Sequence, residues 1–261
     1  MWPAPFPEGR APRDGFTLVE VVVVMLVLAL LASGLALPIA AQLQMRRQEE
    51  ARRQMEDARD ALLGFAAAHG RLPCPALDAS LGQESFEPGG DAANGECADF
   101  HGGFLPGAAL GLAPLDSEGF LRDPWSTPRN RVRYAVSGVT VNGVRYALTR
   151  ANGLQSATLQ GIGDAPHYLF VCSSGATASA AGCGPAANHL TRKAAFVLLS
   201  LGPNASSVPA AASDEARNLD GDAVFVSRDP SDAPGREFDD VVQWASVHLV
   251  VHRLLSAGRL P

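Results

Sequence analysis

The residue types that most often carry catalysis are sparse in this chain. Its six histidines are scattered over 261 residues, and no Gly-x-Ser-x-Gly stretch presents a nucleophilic serine ahead of a helix. His248 and His252 stand four residues apart on a predicted helix, which is a metal-binding spacing, but Leu-Val-Val between them lacks the glutamate of His-Glu-x-x-His. We therefore expect no catalytic residues and interpret both histidines as surface or capping groups of that helix.

The four cysteines suggest a different chemistry, which is disulfide formation. Cys74, Cys97, Cys172 and Cys183 are even in number, and none of them forms the C-x2-4-C pair of a zinc site. Such a pattern is typical of disulfides formed in an oxidising compartment. Three pairings are possible, although the long Gly- and Pro-rich stretch 71–125 needs a covalent link and favours Cys74 with Cys97.

The charge balance argues against nucleic acid or acidic lipid as the main partner. The formal net charge is −6, with 21 Lys and Arg against 27 Asp and Glu, whereas both of those ligands require a concentrated cationic face. A local basic patch near a predicted hairpin is the alternative, and its members are Arg129, Arg131, Arg133 and Arg145. The same alternation of residues is equally typical of a solvated sheet face.

An N-terminal helix is the strongest predicted element. Residues 21–45 carry no charged side chain, and 25 helical residues reach about 37 Å, which exceeds the roughly 30 Å core of a bilayer. The segment 46–70 continues with charged helix formers and stops at Gly70. We predict one helix from about Phe16 to His69, with 16–45 in the membrane and 46–70 in solvent.

The remaining residues, 71–261, predict a globular domain with a sheet. Residues 131–150 alternate around Asn142-Gly143, which predicts a hairpin. Three further strands are predicted at HYLFVCSS, KAAFVLLSLG and DAVFVSRD, and helical spacing from Val241 through Leu254 predicts a terminal helix. The fold class is therefore α+β, with the long helix packed on an antiparallel sheet.

Residues 15–20, Gly-Phe-Thr-Leu-Val-Glu, followed by the apolar run, resemble the prepilin signal of type IV pilins and type II secretion pseudopilins. The resemblance implies that prepilin peptidase removes a leader, residues 1–15, by cutting between Gly15 and Phe16, and that Phe16 is then methylated. It also explains an acid at the start of an apolar helix, where an unpaired charge is costly. Glu20 would pair with the new amine of Phe16 on a neighbouring subunit.

The same resemblance implies a place and a set of partners. The chain would be a single-pass protein of the bacterial inner membrane, in contact with lipid before assembly, with residues 71–261 periplasmic or extracellular. Its partners would be other subunits and the inner-membrane assembly platform, and its product a pseudopilus or pilus. Its large head favours a minor subunit, at the tip or in initiation; a tip module for adhesion or DNA uptake is the alternative.

Two further fragments resemble the major type II pseudopilin. Asp123-Pro124-Trp125, followed by Arg133-Tyr134, is similar to the Asp-Pro-Trp-Gly stretch of that protein. Ser200-Leu201-Gly202 with Asn204 and the later Asp239-Asp240 is similar to its calcium loop. The ligands that this resemblance implies are Asn204, Asp239 and Asp240, with Asp220 or Asp222 as further oxygen donors. The alternative is that Asp239 and Asp240 only favour the first turn of the last helix.

Overall fold

The computed structural model of the protein describes residues 15–125 and 130–260, and within them it describes no side chains for residues 32–41. The predicted leader therefore lies outside the described residues, apart from Gly15. The chain divides into two compact units, Met1–Arg46 and Arg47–Pro261.

The first element, α1, is a 52-residue helix over Leu18–His69, in agreement with the predicted helix. The hydroxyl Oγ1 of Thr17 accepts a hydrogen bond of 3.2 Å from the Glu20 amide, which is how a helix N-cap satisfies a free N–H. Gly70, at φ +70°, ends the helix in the left-handed conformation. The predicted membrane span falls partly on residues 32–41, and within the described residues no helix combines the length and apolarity needed to cross a bilayer.

A five-stranded sheet forms the centre of the second unit. Its strands are β1 (Arg133–Val136), β2 (Leu169–Cys172), β3 (His189–Ser200), β4 (Val224–Val226) and β5 (Val241–Ser246). The long β3 pairs antiparallel with β1, β2 and β5, in registers such as Val136↔Phe196 and Ala194↔Leu169. However, β4 pairs parallel to β2. The sheet is therefore mixed, and the predicted purely antiparallel sheet is wrong, because the chain crosses back before forming β4.

The outer edge of β4 is covered by side chains. The amides of Val224 and Val226 point away from β2. The Val224 amide donates to Asp222 Oδ1 at 2.8 Å, and the Val226 amide donates to Asn218 Oδ1 at 2.7 Å. The Asn218 amide nitrogen also donates to the Val226 carbonyl at 3.1 Å. Side chains thereby supply hydrogen bonds that a further strand would otherwise supply.

The described residues contain five further α-helices: α2 (Gly107–Leu110), α3 (Gly153–Ser156), α4 (Leu159–Asp164), α5 (Asp214–Arg217) and α6 (Val247–Ser256). Two 3-10 helices, Asp78–Ser80 and Ala186–Asn188, accompany them. Two predictions need correction here. The hairpin at Asn142-Gly143 is reduced to a single bridge, Val141↔Val144, because Tyr146 turns the backbone into the left-handed region at φ +54°. The predicted terminal helix begins late, since Val241–Ser246 is β5 and Ser246 Oγ caps α6 at 3.3 Å.

The core lies between the sheet and the second part of α1. The helix contributes buried residues at the i, i+3, i+4 spacing of one helical face: Met55, Ala58, Leu62, Leu63 and Ala66. They pack with Tyr134 and Phe196 of the sheet and with Leu254 of α6. A fully buried Leu contributes about 1.5–3 kcal/mol, so this face stabilises the attachment of the helix to the sheet.

Two disulfides join Cys74 to Cys97 and Cys172 to Cys183, which confirms that the cysteines are paired. The first pair is the one that the loop-rich stretch favours. Beside it, Arg71 makes two hydrogen bonds to Glu84, at 2.6 and 2.9 Å, and Glu84 also accepts from the Cys74 amide. This buried ion pair fixes the first disulfide loop next to the end of α1.

Candidate functional site

The N-terminal motif, Gly15 to Glu20, consists of the exposed residues before α1 and the first residues of that helix. A Cβ added at Gly15 would meet no described atom within 4 Å, and the Phe16 side chain is 82% exposed. Gly15 and Phe16 are therefore both exposed with respect to the described residues.

The helix that follows presents an apolar surface. Between Leu18 and Leu31 its large apolar side chains are exposed, and Glu20 in the first turn is the one acid of this stretch. An acid in the first turn interacts favourably with the helix dipole, so Glu20 also has a local role at the helix start. A continuous exposed apolar surface of this kind is typical of a segment that contacts lipid or other helices.

A second site is formed by three carboxylates. Oxygen atoms of Glu215, Asp239 and Asp240 lie within 4.8 Å of one another. Asp239 and Asp240 immediately precede β5, and Glu215 comes from α5. Glu215 belongs to this cluster although the sequence analysis did not select it. Asp220 and Asp222 instead lie beside Arg217, at 2.5 and 3.6 Å.

Hydrogen bonds hold the three carboxylates together. Asn204 donates its amide nitrogen to both oxygens of Glu215 at 3.1 Å, and Glu215 Oε1 also accepts from the Asp239 amide at 3.0 Å. Asn218 donates to Asp240 Oδ2 at 2.7 Å. The sequence-predicted Asn204 is thus next to the cluster, where it orients Glu215.

The cluster has an excess of negative charge. Burial, together with the neighbouring carboxylates Glu215 and Asp239, raises the pKa of Asp240 to about 8. Burial together with the Glu215 charge raises the pKa of Asp239 to about 7. Asp239 Oδ1 is a buried acceptor without a hydrogen-bond partner among the described residues. A cation would compensate this charge and satisfy this oxygen.

The two fragments singled out in the sequence lie beside this cluster. The Ser200 hydroxyl donates to Asp123 Oδ2 at 2.8 Å, and Asn130 donates to the Gly202 carbonyl at 2.8 Å. Gly202, at φ +65°, lies so close to Asp239 that an added Cβ would meet its carbonyl oxygen at 2.5 Å. The structure therefore brings the Asp123 segment, the Ser200 segment and the acidic pair together.

The alternative role for Asp239 and Asp240, in the first turn of the last helix, is wrong. Six residues of β5 separate them from α6, because Val241, Val242 and Trp244 pair with β3. His248 and His252 are exposed on α6, as expected for surface groups.

The predicted basic patch is not a shared cationic surface in the described part of the chain. Arg131 pairs with Asp116, Glu118 and Asp78, at 2.8, 2.5 and 3.2 Å. Burial lowers the pKa of Arg133, which donates to the Gly102 carbonyl. Arg145 pairs with Glu96 at 3.6 Å, and Arg129 lies outside the described residues. Arg131 and Arg133 are therefore engaged in contacts within the chain.

An exposed Gly-Phe pair thus stands directly before a helix with an apolar surface. Residues 10–36 match the family model of the prokaryotic N-terminal methylation motif, the signature of type IV pilins and pseudopilins. The motif supports a pilin-like or pseudopilin protein that prepilin peptidase processes, and it points to a structural subunit rather than an enzyme. No curated protein and no solved structure matches the chain.

Proposed function

We propose that the protein is a subunit of a type IV pilus or type II secretion pseudopilus, assembled through α1. The observation that carries this proposal is the methylation motif over residues 10–36, followed by exposed apolar side chains on the same helix. Prepilin peptidase cuts after Gly15, and Phe16 becomes the methylated N terminus.

Before assembly, residues 16–45 anchor the chain in the inner membrane. This step rests on the sequence, which has no charged side chain from 21 to 45. Residues 71–261 form the periplasmic domain, and both disulfides agree with an oxidising compartment. The assembly platform and sister subunits are then the partners.

In the filament, Glu20 pairs with the Phe16 amine of a neighbouring subunit. Both residues lie at the start of α1, and both are exposed in the single chain. In an apolar helix bundle the low dielectric strengthens this attraction, so the pair sets the register of adjacent helices. The size of the globular unit, Arg47–Pro261, favours a minor subunit at the tip or in the initiating complex, since large heads crowd a dense filament.

Processing is tested by intact-mass measurement of the protein from cells with and without prepilin peptidase. With the enzyme, the chain should lose residues 1–15 and gain one methyl group. Gly15→Ala should remain full length, whereas Gly64→Ala, a glycine of the α1 interior with open space around it, should be processed normally. Normal maturation of Gly15→Ala would contradict the assignment.

Assembly is tested separately with Glu20→Gln. This variant should be cleaved and inserted but absent from sheared filaments, because its carboxylate no longer pairs with an amine. Glu56→Gln, an exposed acid of the same helix, serves as the control and should assemble. Filaments that incorporate both variants equally would show that Glu20 does not set the register.

We further propose that the carboxylate cluster binds calcium through Glu215, Asp239 and Asp240. Calcium takes six to eight oxygen ligands and prefers carboxylates, and the cluster offers three, one with the unsatisfied oxygen Asp239 Oδ1. Calorimetric titration of the full chain with calcium, and then with magnesium, tests this. Asp240→Asn should abolish the heat of calcium binding, while the exposed Asp229→Asn should leave it unchanged.

A further inference from the structure

The disulfide Cys172–Cys183 closes a loop that holds α5. The Gly175 amide donates to Asp214 Oδ1 at 2.7 Å, and Arg217 Nη2 donates to the Ala178 carbonyl at 2.6 Å. Thr177 Oγ1 donates to the Cys183 carbonyl at 3.0 Å and so ties the loop to its own closing residue. Both ends of α5 are therefore bound to residues 173–182.

This helix depends on such contacts. It has only four residues, and its Ser213 cap satisfies a single amide, that of Ala216, at 3.0 Å. One turn of helix is not stable by itself in water. Asp214 and Arg217 contact the loop, whereas Glu215 between them reaches the carboxylate cluster. The contacts of the loop with these two neighbours therefore help to position Glu215, together with the hydrogen bonds from Asn204 and the Asp239 amide.

The segment that carries Asp239 and Asp240 is also connected to Asp214. Arg228 Nε donates to Asp214 Oδ2 at 2.6 Å, and its Nη2 donates to the carbonyls of Arg236 and Glu237 at 2.9 and 3.3 Å. Those carbonyls lie three and two residues before Asp239. Asp214 thus links the segment that carries Glu215 with the segment that carries Asp239 and Asp240.

We propose that the Cys172–Cys183 disulfide positions Glu215, so that calcium binds tightly at the carboxylate cluster only in the chain that has formed this bond. The inference rests on the calcium site proposed above. Opening the bond frees the ten residues between the cysteines, and the loop then holds Asp214 and Arg217 only part of the time. Calcium binding has to restore that order, which lowers the apparent affinity.

The other disulfide provides a matched control. Cys74–Cys97 closes a larger loop, with a sequence separation of 23 against 11, and its residues pack in the core cluster that contains α1. Its loss destabilises the protein without acting on the contacts of α5. A general loss of stability is therefore distinguishable from a loss of Glu215 positioning.

The experiment measures calcium affinity of the full chain in detergent micelles by calorimetry, for wild type and the two double variants. C172S/C183S should raise the calcium Kd at least tenfold, and C74S/C97S should keep it within twofold. Equal affinity of C172S/C183S and wild type would overturn the coupling. A wild type that binds no calcium would instead overturn the site itself.

Two measurements cover the case in which C172S/C183S does not fold. Arg217→Met keeps the disulfide but removes the hydrogen bond to Ala178 together with the ion pairs to Asp220 and Asp222, and it should raise the calcium Kd severalfold. Hydrogen exchange without calcium reads the position of α5 independently: the Ala216 and Arg217 amides should exchange at least tenfold faster in Arg217→Met than in wild type. Unchanged exchange together with unchanged affinity would refute the positioning role.

Discussion

Gly202→Ala tests the close contact between the Ser200 segment and Asp239. Gly202 has φ +65°, and a Cβ there would lie 2.5 Å from the Asp239 carbonyl oxygen and 2.7 Å from Asp239 Oδ1. A left-handed conformation costs an L-residue roughly 1–2 kcal/mol. The backbone oxygen cannot rotate away, so the overlap adds about 1–3 kcal/mol, as overpacking does. The expected total is a loss of about 2–5 kcal/mol in the free energy of unfolding.

The matched control is Gly221→Ala. Gly221 has φ +77°, but an added Cβ meets no described atom within 4 Å, so only the conformational cost of about 1–2 kcal/mol applies. Urea unfolding of the full chain, followed by circular dichroism, compares the two variants. Gly202→Ala should also lose the stabilisation by calcium, which Gly221→Ala keeps. Equal losses of stability in the two variants would refute the proposed contact with Asp239.

Three further predictions concern stability, each measured by urea unfolding. Leu62→Ala should lower the free energy of unfolding by about 2–5 kcal/mol, because Leu62 is fully buried between α1 and the sheet; the exposed Leu255→Ala is its control, and a similar loss in both would contradict the packing. Glu84→Gln should cost about 3–5 kcal/mol, since it leaves the Arg71 guanidinium buried without its counter-charge; a loss under 1 kcal/mol would refute this. Burial lowers the pKa of His101, so the folded state favours the neutral imidazole, and stability should be full above pH 6.5 and decline as the pH falls below that value. His101→Gln should flatten that decline, and an unchanged slope would show that another group causes it.

The helices and strands were predictable where the periodicity of the sequence agreed with the secondary structure that packing against the sheet favours. α1 and the strands β2, β3 and β4 follow from long or strongly apolar runs. β5 was missed because Val241, Trp244 and Val247 also fit helical spacing, and pairing with β3 decides for the strand. The periodicity of a segment cannot predict its pairing with a strand that is distant in sequence.

The processing motif and the carboxylate cluster also differ in how far the sequence predicts them. The processing motif is contiguous, so six residues, Gly15 to Glu20, are sufficient to predict it. The carboxylate cluster is assembled from α5 and the start of β5, and only its Asp239 and Asp240 part was predicted. Glu215 follows a serine cap and has the sequence signature of an ordinary first-turn acid. Its place in the cluster depends on contacts that are distant in sequence, with Asn204, the Asp239 amide and the loop that contacts α5.

The side chains that cover the edge of β4 determine how copies of this protein can associate. An open strand edge is a template on which a second molecule adds its own strand, and crowded copies on a membrane would meet such edges often. Here Asn218 and Asp222 occupy the amides of Val226 and Val224, so that a foreign strand would first have to displace them. Strand addition is thereby discouraged at this edge of the sheet.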